Sequence, residues 1–149
     1  MPITFHGLST AYPADHNPCS NANGVPNFSN QCAIRMSVCL ADAGVDLSSC
    51  HAVRCWHGHG RRHIIRAQEF ANWLASPTGR LAIDGVVVTR RSNVTSADYS
   101  GMRGIVFFQN FWGVGNQGDH IDLWDGVRLR DGALDYFSRS EQVWFWEFL

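Results

Sequence analysis

Apolar residues recur along the chain first at helical and then at strand spacing. Over residues 31–43, Ile34, Val38 and Ala41 fall three or four apart among good helix formers. Ser29 or Asn30 stands where an N-cap is needed, and Gly44 stands where a helix would end. Residues 64–75 repeat the pattern with Ile64, Ala67, Ala71 and Leu74, until Ser76 and Pro77 stop it. Beyond that proline the period shortens. The runs 85–89, 104–109, 120–124, 127–131 and 142–148 are read as strands. Ile105-Val106-Phe107-Phe108 is apolar at every position, so its strand is expected at the centre of a sheet, covered by helices on at least one side. Helices first and strands second predict an α+β class, with N-terminal helices packed on a C-terminal antiparallel sheet. Between positions 9 and 31, Asn, Pro, Ser and Gly displace any periodic face, and an ordered loop or arm is expected.

Composition narrows the function. A chain of 149 residues is the size of one domain, taken here as 1–149, and 45% hydrophobic residues with 17% charged ones exclude disorder. Twelve arginines and no lysine leave a net charge of −1, so no broad positive field exists to hold a nucleic acid. No window approaches the ~18 apolar residues of a membrane span, and the first residues lack the basic-then-apolar order of a Sec-type signal. Membrane insertion is therefore not expected. Five cysteines are an odd set, unlike a disulfide framework.

One of these cysteines has a position suited to chemistry. Cys32 falls in the first turn of the first predicted helix, where unpaired N–H groups and the positive end of the dipole favour an anion. A thiolate nucleophile can be made there. Gln31 precedes it and is a weak candidate for lining an oxyanion or substrate site, with the backbone N–H of Cys32 as the other donor. A second element is the segment around His120. Asp125-Gly126 between two alternating runs signals a two-residue hairpin, which would set Trp124 opposite Val127, Asp122 opposite Leu129 and His120 opposite Asp131. Directly paired side chains are close enough for Asp131 to hold the imidazole of His120 in one tautomer. Asp122, two residues along the same strand, shares that face and is the reserve third residue.

Cysteine at a helix start, histidine on a later strand and a carboxylate on the next is the order of papain-like thiol hydrolases. The motifs Asn30-Gln31-Cys32-Ala33-Ile34-Arg35-Met36-Ser37, Arg103-Gly104-Ile105-Val106-Phe107-Phe108 and His120-Ile121-Asp122-Leu123-Trp124-Asp125-Gly126 make the resemblance more specific. With Tyr12-Pro13 and the region of Trp56, the chain resembles the family-4 amidase effectors of bacterial type VI secretion. The resemblance implies a compact NlpC-type papain-like fold and a peptidoglycan amidase that cuts stem peptides at the γ-D-glutamyl to meso-diaminopimelate bond. It implies Cys32 as nucleophile, His120 as base and Asp131 as third member. It further implies passage through the type VI secretion machinery, action in the periplasm of a target bacterium, and a cognate immunity protein as inhibitor. Other thiol acyltransferases or deamidases, and a non-catalytic glycan- or peptide-binding module, are the rival readings.

The run Cys50, His51, Cys55, His57, His59, His63 has zinc-binding residue types but fits no finger spacing, so neither a metal nor any other cofactor is expected. Cys50 and Cys55 are an alternative small disulfide in an oxidising compartment. Cys39, two turns after Cys32 on the same helix, reads as core packing. Arg35 can pair with substrate carboxylates or form an internal salt bridge. The apolar tail 143–148 reads as a buried closing strand.

Overall fold

The computed structural model describes residues 2–13, 18–20, 23, 31–55, 63–110 and 118–149. The segment around Trp56, together with His57 and His59, the candidate caps Ser29 and Asn30, and most of the Asn-rich arm lie outside these residues. The elements follow the order α1 (Phe5–Ala11), α2 (Cys32–Asp42), α3 (Ala67–Ala75), α4 (Pro77–Ala82), β1 (Thr89–Arg91), a 3-10 turn (Ser96–Tyr99), β2 (Gly104–Gln109), β3 (His120–Trp124), α5 (Tyr136–Arg139) and β4 (Gln142–Glu147). The four strands form an antiparallel sheet in the order β1-β4-β2-β3, as the α+β reading requires.

The β2 strand is central and buried at five of its six positions, and its alternating side chains feed two apolar layers. Ile105 and Phe107 join Ile121, Leu123, Trp144 and Trp146 in the layer that also holds Leu8, Met36, Leu40, Phe70 and Leu74 from α1, α2 and α3. Val106 and Phe108 join Trp124, Val143 and Phe145 in the layer closed by Tyr99 and Phe137. Residues two apart on a strand share a face, so the apolar run Ile105 to Phe108 serves both layers. The β4 strand likewise divides its apolar residues, Trp144 and Trp146 to the first layer and Val143 and Phe145 to the second, which accounts for the apolar tail.

Helix α2 keeps the predicted extent within a residue at each end. Ala43 caps it, and Gly44 follows at φ 98°, the left-handed conformation that ends helices at low cost. Helix α3 starts three residues later than predicted, because Ile64 is committed to a short antiparallel bridge with Arg54: the Cys55 N–H donates to His63 O at 2.8 Å and the Ile65 N–H to Val53 O at 3.1 Å. Ser76 and Pro77 end α3 and start α4 at once. The Ser76 hydroxyl accepts from Gly79 N, and Pro77 occupies the first turn, where its missing N–H costs nothing. The strand expected at 85–89 forms instead at Thr89–Arg91, because Val86 and Val88 pack onto the core outside any ladder. The strand expected at 127–131 is absent apart from one bridge, Trp124 to Leu129. No helix among the described residues is long and apolar enough to cross a membrane.

Candidate active site

Cys32 is the first residue of α2, with Gln31 as its N-cap and no capping hydrogen bond from the Gln31 side chain. The thiol is 2% exposed but lines an open groove of about 430 Å³ whose other walls are Ile65, Arg66, Ala67, Gln68, Glu69 and Asp119. Helix α2 packs against β3, the outermost strand on that side of the sheet, and β3 carries His120. The imidazole lies nearly parallel to Phe108, its cross-strand neighbour, at 6.1 Å between centroids, and meets Tyr136 edge-on at 5.2 Å.

The carboxylate partner of His120 is Asp122. Its Oδ2 lies 2.9 Å from His120 Nε2. Asp122 is fully buried and saturated with backbone donors: Oδ1 accepts from Leu123 N at 2.7 Å and Arg130 N at 3.1 Å, and Oδ2 accepts from Asp131 N at 2.9 Å. The Cys32 sulfur hydrogen-bonds the same ring. Burial works against charge on this imidazole, but its hydrogen bonds to Asp122 and Cys32 and the negative charge of both outweigh it and hold the pKa up to about 10.

The expected pairing of His120 with Asp131 is not formed, and the cause is the turn. The Asp125 carboxylate accepts from both Val127 N and Arg128 N, Gly126 adopts φ 98°, and Asp125 N donates to Arg128 O. This Asx-type turn lengthens the loop by two residues, so Trp124 pairs with Leu129 rather than Val127. The shift moves Asp131 away from His120. Its side chain instead binds Arg35 Nη1 at 2.8 Å, tying the turn to α2, so Arg35 is an internal salt-bridge partner.

Gln31 is buried beside Cys32, but its Nε2 donates to the Cys19 carbonyl at 3.3 Å, so the side chain fastens an upstream segment to the start of α2. Tyr12, singled out from sequence only within a motif, is buried near the site. Desolvation and the charges of Asp122, Asp131 and Cys32 push its hydroxyl well above the ordinary tyrosine range, so it stays protonated. Cys39 Sγ donates to Leu8 O at 3.2 Å, and burial pushes its pKa up to about 12, as a packing thiol requires. The Cys50–Cys55 disulfide is not formed; both are thiols, and Cys55 lies with Cys19 and Ile34 while Cys50 belongs to the main core.

A buried cysteine at a helix start, a histidine on an adjacent strand and a carboxylate behind it can carry out nucleophilic acyl transfer. The profile of the Tae4 family, type VI secretion system (T6SS) amidase effector protein 4, matches residues 28–146. The chain belongs to this family. Membership makes it an amidase effector, and therefore a hydrolase directed at target bacteria. Among solved structures, the type VI effector Tae4 from Enterobacter cloacae shares 19% identity at TM-score 0.74, covering 100% of this chain and 98% of that one. The effector Tae4 from Salmonella typhimurium, in complex with the immunity Tai4 from Enterobacter cloacae, shares 19% at TM-score 0.72, covering 100% of both. The Tae4-Tai4 effector-immunity complex from Salmonella Typhimurium shares 18% at TM-score 0.73, covering 100% of this chain and 99% of that one. The papain-like α+β architecture is common to all. No curated protein matches.

Proposed function

We propose that this amidase hydrolyses the γ-D-glutamyl to meso-diaminopimelate bond of peptidoglycan stem peptides through Cys32, His120 and Asp122. The observation that carries the reading is the connected set of Cys32, the His120 ring and the buried Asp122 carboxylate, with the sulfur on the wall of an open groove. Cys32, paired with the His120 imidazolium, attacks the amide carbon and forms a thioester. His120 gives its proton to the departing amine and then takes one from the water that releases the acyl group. Asp122 fixes the ring and stabilises its charge. Backbone N–H groups at the start of α2 are the donors for the oxyanion. Asp131 positions α2 through Arg35 without touching the imidazole.

The solved Tae4 structures bound to Tai4 support a cognate immunity protein, and delivery by type VI secretion supports action in the target periplasm. The test is to incubate the protein and its Cys32→Ala variant with purified peptidoglycan and to identify released fragments by mass spectrometry. New α-amino ends on diaminopimelate, absent with the variant, are expected. Unaltered peptidoglycan, or cleavage that survives the substitution, would overturn the reading.

A further inference from the structure

We propose that Cys19, Cys55 and His63 form a zinc site beneath the nucleophile helix. The three ligand atoms lie within 4.8 Å of one another, and all three residues are buried, Cys19 and Cys55 completely. Cys55 Sγ stands 3.6 Å from His63 Nδ1. Sulfur at ~2.3 Å and imidazole nitrogen at ~2.05 Å from one tetrahedral zinc are ~3.6 Å apart, so this edge of a coordination polyhedron is already set.

The backbone supports the same geometry. Cys55 and His63 adjoin the isolated Arg54 to Ile64 bridge, and Cys55 N donates to His63 O, so backbone hydrogen bonds set their relative placement. The His63 N–H also donates to Cys55 Sγ at 3.2 Å, a second backbone tie between these two side chains. Binding converts the two thiols to thiolates with release of two protons, takes His63 as the neutral ring, and leaves the fourth corner to an exogenous donor such as water. Cys19 brings in the third wall. Its carbonyl holds Gln31, and its side chain packs with Ile34 of α2, so the ion would tie the 18–20 segment to the helix that presents Cys32. This role is structural and independent of the hydrolase chemistry.

The experiment uses the full chain, reduced and freed of metal, titrated with Zn²⁺ against a chromogenic chelator and separately loaded with Co²⁺. About one tight equivalent per chain is expected, with the intense visible bands of tetrahedral cobalt and a near-ultraviolet charge-transfer band sized for two thiolates. The equivalent should persist in Cys32→Ala and disappear in Cys19→Ser and His63→Ala. Should either of these fail to fold, the cobalt spectrum of the unsubstituted protein decides, because it reports ligand type and number directly. Three outcomes overturn the proposal: no retained equivalent in the reduced protein, binding lost with Cys32→Ala but kept with Cys19→Ser, or a Cys19–Cys55 disulfide in non-reducing peptide maps together with no metal uptake after reduction. None of them touches peptidoglycan cleavage, which is measured separately.

Discussion

Asp122 and Asp131 are nine positions apart and make different contacts, so substitution separates their roles. Asp122→Asn removes the acceptor facing His120 Nε2 and should lower kcat by ~100-fold or more. Asp131→Asn should change kcat little and lower the melting temperature, since the Arg35 pair is partly solvated and contributes ~1 kcal/mol at most. Steady-state kinetics with a stem-peptide substrate and thermal melts check both; equal rate losses would return Asp131 to the ring. The pH dependence also has a definite sign. With the folded pKa raised to about 10, the imidazolium is retained through neutrality, and the alkaline limb of kcat/KM should fall near pH 10. For stability, the raised pKa contributes fully below the unfolded value of ~6.5, and this contribution is lost as pH rises through the folded value. In Asp122→Asn the alkaline limb should move to lower pH; an unmoved limb would contradict the pairing. The sequence singled out Cys32, His120 and the reserve Asp122, which the structure brings together, because residue type, helix start and strand alternation are local signals. It missed which carboxylate meets the ring, because a single side chain, Asp125, sets the turn by capping two backbone N–H groups.

At the level of elements, close approach is the strongest constraint. A β-carbon on Gly104 would collide with the Trp146 carbonyl on β4, so Gly104→Ala must spread the two central strands and should destabilise by ~3 kcal/mol. Denaturant melts check this, and a change under ~0.5 kcal/mol, the range of neutral surface substitutions, would refute the packing argument. The same kind of contact packs α4 on α3, where a β-carbon on Gly79 would meet the Trp73 carbonyl. The legible elements were those with a long periodic face: α2, the body of α3, and strands β2, β3 and β4. Helix α1 was not anticipated. It is short, only Phe5 and Leu8 are buried within it, and its start depends on Thr4 accepting from Gly7 N. The misread strand at 127–131 alternates correctly in sequence, but the Asp131 N–H is spent on the Asp122 carboxylate and the Arg130 N–H is shared between that carboxylate and the Leu123 carbonyl.

For the whole molecule, the α+β order and the antiparallel sheet were legible because helical periodicity gives way to strand periodicity only once along the chain. The buried cluster of Cys19, Cys55 and His63 was not, because Cys19 enters from a remote segment that no spacing rule links to the histidine-rich run. Large side chains close both layers. Trp146→Ala, in the layer shared with the helices, should cost ~3–5 kcal/mol in denaturant melts, and a loss below ~1 kcal/mol would show that this layer is not close-packed. The central strand is a party wall between the two layers, and it also carries the cross-strand partner of His120. Neither side can come apart without exposing the other to water. Scaffold and reactive centre should therefore be lost together on heating, in one cooperative transition with matching calorimetric and van't Hoff enthalpies.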